Sequence, residues 1–124
     1  MNSYDPEIQP PSADWLQADE GDRIEWVSSY HRRKKVALPN RQLHAVIHVV
    51  VENQLAMGEN VVVETLARLM SEGLTRHNAL HAIGSVLAAD LYQLMQEGSG
   101  ATGETYRRYL EGLQHLTAKS WLAG

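Results

Sequence analysis

Residues 44–56, HAVIHVVVENQLA, decide between an α-helical and a β-sheet fold. Their valines and isoleucine favour a strand, since β-branched residues are enriched in sheets. The polar residues between Gln42 and Gln54 do not alternate with apolar ones, however, and the run is too long for an ordinary strand. We therefore predict a helix over residues 40–57, ended by Gly58.

Four further helices are predicted on either side of this stretch from the helical spacing of apolar residues and from start and stop signals. Asp19 and Thr75 are typical N-caps, and Gly73 is a typical helix stop. The five predicted helices cover residues 20–34, 40–57, 60–72, 76–97 and a last stretch from residue 102 to residue 121. The predicted fold is an all-α, compact bundle of four to five helices with no sheet.

The chain divides into three parts on the same grounds. Three prolines in the first eleven residues predict an extended N-terminal segment, residues 1–12. Residues 13–97 form the helical core domain. The flexible sequence Gly98-Ser99-Gly100 separates it from residues 98–124, which we expect to be an appended C-terminal helix packed on the same domain.

Composition excludes several classes of protein. The chain has 124 residues, 44% of them hydrophobic, and no cysteine, so a disordered, fibrous or disulfide-stapled protein is excluded. Its longest apolar runs fall short of the ~20 residues that a membrane span needs. The acidic N-terminal stretch is unlike a secretory signal. We expect a cytoplasmic protein that does not enter the membrane.

One basic block, HRRKK at residues 31–35, interrupts an otherwise acidic chain of net charge −4. Cations in this position suit the last turn of the first predicted helix, where backbone carbonyls are exposed. A nucleic-acid site would show aromatic interleaving, further basic stripes or a positive domain charge, and the sequence has none of these. We therefore predict no nucleic-acid partner.

Two rows of histidines spaced by four residues, here called ladders, are the pattern that indicates a functional site. His44, His48 and Glu52 are spaced by four residues, so they fall within about 80° around the axis of one helix. His77 and His81 have the same spacing on another helix. Small residues beside the second ladder, such as the glycine at position 84, would let the two helices approach closely.

Convergence of the two ladders would create a metal site. Imidazoles and a carboxylate in a helical interior suit a borderline transition metal such as Zn, Fe, Mn, Ni or Cu. We expect one transition metal, zinc or iron, with Glu52 either as a ligand or as the orienter of a ligand. The predicted metal-binding residues are His44, His48, Glu52, His77 and His81.

Two familiar metal motifs are missing. A zinc protease needs a glutamate directly after the first histidine, but Ala45 and Asn78 stand in those places. Carboxylate-bridged di-iron bundles use a glutamate three residues before each histidine. The residues in those positions are Arg41, Ala45, Leu74 and Asn78.

The His-x-x-x-Glu pair at residue 48 and the His-x-x-x-His pair at residue 77 are similar to two ligand helices of hemerythrin-like oxygen carriers. The resemblance implies a dinuclear iron centre, completed by an early histidine and a late His-x-x-x-x-Asp pair. His31 matches the early ligand. His115 is followed five residues later by Ser120, so the late pair is missing.

A wider resemblance covers about residues 4–95. Its most specific part is the long block from His44 through Ala88, which contains HAVIHVVVENQLA and ARLMSEGLTRHNALHAIGSVLA. The shorter matching stretches are Tyr4-Asp5-Pro6, the region from Trp15 to Asp19-Glu20, Arg23-Ile24 and Tyr30-His31. Together they resemble a group of short bacterial proteins of unknown function. The resemblance implies a small helical cytoplasmic protein and assigns no residue a role.

Three hypotheses follow. The first is a metal-binding module that holds one transition metal, or a dinuclear pair, through both ladders. The second is a structural or interaction protein, a homodimer, whose histidines form a buried hydrogen-bond network and whose helix over residues 40–57 is apolar around most of its circumference because a second copy covers it. The third, an enzyme with a histidine as general base, is the weakest, because the sequence offers no nucleophile elbow and no phosphate-binding loop.

Overall fold

The computed structural model describes residues 3–33, 41–97 and 103–123, without the side chains of residues 31–33, 41–42 and 90–97. In these ranges the chain is all-α and has no strand, so the predicted fold class is confirmed. The helices are α1 (Ser12–Gln17), α2 (Glu20–Arg33), α3 (Arg41–Ala56), α4 (Asn60–Ser71), α5 (Arg76–Glu97), α6 (Glu104–His115) and α7 (Ala118–Ala123).

The last predicted helix is in fact two helices. Leu116 leaves the helical conformation with a ψ of 133°, and α7 starts two residues later. Thr117 and Ser120 cap each other: the Ser120 amide donates to Thr117 Oγ1 at 3.0 Å, and the Thr117 amide donates to Ser120 Oγ at 3.1 Å. This reciprocal capping starts a new helix where the apolar spacing alone predicts continuation. The short helix α1 was not predicted either.

Glycines end two of the helices as predicted. Gly58 has a φ of 74° and Gly73 a φ of 111°, values that side-chain-bearing residues rarely adopt. After α3, the Glu59 amide donates to the Gln54 carbonyl, and the Gly58 amide donates to the Leu55 carbonyl. These are the two bonds of a Schellman motif, and α4 ends in the same way at Gly73.

Helix α3 lies between two apolar clusters and packs against α1, α2, α4 and α5. Val51 and Leu55 join a large cluster with residues of α4, α5, α6 and α7. Ala45 and Val49 join a smaller one with α2 and the aromatic residues Tyr4 and Trp15. His44, His48 and Glu52 of α3 therefore lie in the seam between the two clusters, since their positions around the helix fall between those of Val51 and Ala45.

The N-terminal segment lies over this seam. Residues 3–11 are not helical, and they contain a turn in which the Ile8 amide donates to the Asp5 carbonyl at 3.0 Å. Tyr4, Pro6 and Pro10 are buried, so the segment is packed on the helices rather than solvated. Its exposed apolar residue is Ile8, between the buried ones.

No helix among the described residues is both long and apolar enough to cross a membrane. The predicted break at residues 98–100 lies outside the described residues. So do the side chains of the basic block at residues 31–35, including His31.

Candidate metal centre

Helices α3 and α5 run antiparallel where their histidines meet, so that His44 lies opposite His81 and His48 lies opposite His77. The helices approach closely because α5 has a glycine at the crossing. A Cβ atom added to Gly84 would lie 2.8 Å from Ile47 Cγ2. A larger residue there would force Ile47 or the α3 backbone to shift, so Gly84 lets the two ladders approach this closely.

The four rings form one cluster. The centroid of His48 lies 4.8 Å from His44, 5.0 Å from His81 and 5.3 Å from His77. The centroids of His44 and His81 are 4.9 Å apart, and those of His77 and His81 are 4.3 Å apart.

Three of these histidines bring possible metal-ligand atoms close together. His44, His48 and His81 each offer a ring nitrogen, and the three nitrogens lie within 4.8 Å of one another. The Nε2 atoms of His48 and His81 are 3.0 Å apart. Two nitrogens on one tetrahedral zinc ion, each 2.0–2.1 Å from it, are about 3.3 Å apart. That pair therefore needs to move only by tenths of an ångström, and His44 must move further.

The cluster is shielded from water. His48 is 3% exposed, and the other three histidines are half-buried. The Nε2 atoms of His44 and His77 are themselves buried.

Glu52 is one turn along α3 from His48 and is held by a different partner. Arg76 NH2 donates to Glu52 Oε1 at 2.7 Å, and Arg76 NH1 donates to Glu52 Oε2 at 2.9 Å. The two side chains are only 5% and 1% exposed, so this is a buried, bidentate ion pair. The carboxylate lies outside the three-histidine group. Of its two predicted roles, ligand and orienter, the geometry favours the second.

Tyr4 connects Glu52 to the histidines. Its hydroxyl donates to Glu52 Oε2 at 2.6 Å and lies 3.3 Å from His48 Nδ1. Burial raises the pKa of Tyr4 well above its ordinary value, and the Glu52 charge adds to this, so the hydroxyl keeps its proton. The Tyr4 and His48 rings also meet edge to face, with centroids 6.2 Å apart.

His77 belongs to the ring cluster but not to the three-nitrogen group. Its backbone amide, in the first turn of α5, donates to Glu7 Oε1 at 3.1 Å. Its ring makes an edge contact with Tyr30, with centroids 5.7 Å apart. His77 therefore lines the centre beside the three candidate ligands.

Two residues of this site are not predicted from the sequence. Arg76 precedes a histidine of the second ladder, but nothing local shows that it pairs with Glu52, 24 residues away. Tyr4 stands in one of the stretches that carry the wider resemblance, yet its contact with His48 spans 44 residues. The spacing of residues within one helix does not predict contacts between residues so far apart in the sequence.

The parallel with hemerythrin-like carriers ends at the two ladders. The side chain of His31, the match to the early ligand, is outside the described residues. His115, at the end of α6, is exposed. The described residues therefore bring one histidine cluster together and no carboxylate-rich dinuclear centre.

Comparison with known proteins adds no assignment: no family model, curated protein or solved structure matches this chain.

Proposed function

We propose that this protein is a small metal-binding module that holds one divalent transition-metal ion through His44, His48 and His81. The observation that carries the proposal is the placement of three ring nitrogens from two helices within 4.8 Å of one another. One of its ligands, His48, is buried and the other two are half-buried, and all three stand on packed helices, as in other bundle metal sites. His77 is the nearest further donor.

The donor set indicates which metal to expect. Three imidazoles suit Zn, Cu, Fe and Ni, whereas Mg, Ca and Mn favour oxygen ligands. Glu52, the carboxylate nearest along α3, is already bound by Arg76 and Tyr4. Zinc is therefore our first expectation, and iron comes after it.

The test is metal content and metal titration of protein made without a histidine tag. We expect about one equivalent of zinc per chain after repletion and dialysis, because the residues described supply one three-histidine cluster. The measurement is elemental analysis, followed by competition with a chromogenic chelator for the Kd. Substoichiometric metal after repletion with Zn, Fe, Mn, Ni and Cu in turn contradicts the proposal.

Matched histidine variants locate the site. His81→Ala and His44→Ala should weaken zinc binding by more than about 100-fold, since even partners outside the ligand set are worth 10–100-fold. His115→Ala removes an exposed histidine on α6 and should leave the Kd unchanged. Equal losses in all three variants would show that zinc binds nonspecifically.

A second candidate is the hydrogen-bond network without metal, in a homodimer. The 3.0 Å separation of His48 Nε2 and His81 Nε2 favours it, because that is an ordinary hydrogen-bond length. For this function we expect light scattering to show a dimer and chelators to leave the melting temperature unchanged. A chelator-sensitive monomer at micromolar concentration decides for the metal-binding module.

A further inference from the structure

We propose that Tyr4 is the positioning residue of the metal centre, whose hydroxyl holds the His48 ring with the lone pair of Nε2 directed toward the metal. This rests on the proposed function, since His48 is one of its three ligands. Tyr4 would act through His48 and would not touch the ion.

The argument starts from one proton. A tyrosine hydroxyl has a single hydrogen, and Tyr4 gives it to Glu52 Oε2 in a 2.6 Å bond. Toward His48 Nδ1, 3.3 Å away, the same hydroxyl is then an acceptor. Nδ1 must therefore carry the ring proton, because two acceptors do not form a hydrogen bond.

The tautomer decides which nitrogen is available. A neutral imidazole with its proton on Nδ1 has its lone pair on Nε2. Nε2 of His48 is the atom that faces His81 Nε2 at 3.0 Å, inside the histidine cluster. The ligating atom of His48 is thus prepared before any metal arrives, and His81 adapts by moving its proton from Nε2 to Nδ1.

The Glu52 carboxylate acts on His48 through the same hydroxyl group. Metal-bound histidines commonly donate their second N–H to a carboxylate or another acceptor, which fixes the ring and raises its basicity. Here the Tyr4 hydroxyl stands between the Glu52 carboxylate and the ring. The bidentate pair with Arg76 keeps Glu52 in that place and away from the metal.

The N-terminal segment supplies Tyr4 and is anchored to the start of α5. Arg76 NH1 donates to the Pro6 carbonyl at 2.7 Å, and Glu7 accepts from the His77 amide at 3.1 Å. Tyr4 itself is 2% exposed. Residues 4–7 are therefore a structural part of the centre, although they are far from its ligands in the sequence.

The test is the zinc and Co²⁺ affinity of Tyr4→Phe, which keeps the ring and removes the hydroxyl. We expect a Kd 10–100-fold higher than that of the unmodified protein and a changed Co²⁺ absorption spectrum. Tyr106→Phe is the matched control: it removes another tyrosine-to-carboxylate bond, from Tyr106 to Glu59, elsewhere in the fold. Its Kd and spectrum should not change.

A second measurement requires no substitution, so it holds even where Tyr4→Phe fails to fold. The ¹⁵N chemical shifts of the metal-free, unmodified protein should show His48 with its proton on Nδ1. A proton on Nε2, or wild-type metal affinity in folded Tyr4→Phe, overturns the role of Tyr4. Failure of the unmodified protein to bind any metal overturns the proposed function instead, so the two failures are distinguishable.

Discussion

At the scale of single residues, the buried ion pair of Glu52 and Arg76 is the feature whose loss should cost most stability. Burial lowers the pKa of Arg76, but the hydrogen bonds and charge of Glu52 outweigh it, and the net shift is upward. Arg76 thus stays charged beside the Glu52 carboxylate in a place that is closed to water. A protein with such a buried ion pair is often no more stable than one with apolar residues in both places. Removing only one partner is different, because it leaves a buried charge without a counter-ion.

Replacing Glu52 with glutamine should therefore destabilise the protein strongly. We expect the free energy of unfolding to fall by about 3–5 kcal/mol, because Arg76 keeps its charge and loses its counter-ion. Urea unfolding followed by circular dichroism measures the loss. Glu64→Gln, at an exposed position on α4, should change the value by less than about 0.5 kcal/mol, and similar values for the two variants would refute the argument.

Tyr106 provides a prediction for alkaline pH. Burial and the neighbouring Glu59 carboxylate raise its pKa from 10.0 to about 12. Between those values the folded protein retains a proton that the unfolded chain has lost, so the free energy of unfolding should fall as the pH rises. The fall should be shallower in Tyr106→Phe, measured by urea unfolding at several pH values. Parallel curves for the two proteins would contradict this assignment.

At the scale of helices, the contact between α3 and α5 decides whether the ladders meet. The contact depends on Gly84, whose missing side chain leaves room for Ile47 Cγ2. Ile47 yields little, since a β-branched side chain in a helix has one strongly preferred rotamer. A glycine that weakens the helix is thus retained where it lets two helices approach.

Gly84→Ala should lower the free energy of unfolding by up to about 2 kcal/mol, since overpacking costs about 1–3 kcal/mol and the better helix propensity of alanine offsets about 1 kcal/mol of it. Zinc affinity should fall with it as the two ladders move apart. Gly21→Ala, on α2, brings the new Cβ no closer than an ordinary contact of 3.9 Å with Asp19 Oδ2 and provides the control, with unchanged or slightly higher stability. Higher stability in both variants would show that the contact is loose.

At the scale of the whole molecule, the histidine cluster joins α3 to α5 in the seam between the two apolar clusters. Under the proposed function, an ion bound there would link elements that meet only in the folded state. Metal binding would then be coupled to folding, since the unfolded chain does not hold the ligands together.

Zinc at 100 times its Kd should raise the free energy of unfolding by about 2.7 kcal/mol, which corresponds to about 10 °C in melting temperature for a domain of this size. Differential scanning calorimetry with zinc, and again after a chelator, measures the shift. His44→Ala, whose Kd should be more than about 100-fold higher, should gain less than about 0.4 kcal/mol at the same zinc concentration. A shift of equal size in that variant would place the zinc elsewhere.

The parts of this fold that short-range signals determine are predictable from the sequence. Helix ends at Gly58 and Gly73, and the cap at Thr75, each depend on bonds within a few residues. The same reasoning misses the break before α7, because the apolar spacing through Trp121 is compatible with one longer helix. There, the mutual capping of Thr117 and Ser120 starts a new helix, although the apolar spacing favours continuation of α6.

The helical repeat also places His44 beside His48, and His77 beside His81, on one side of their helices. It does not say which helices meet, nor that Tyr4 and Arg76 complete the surroundings of Glu52. Those contacts join residues 24 to 48 positions apart. They form because burial of the two apolar clusters brings α3, α5 and the N-terminal segment together, and that burial is a property of the whole packed chain rather than of any one stretch.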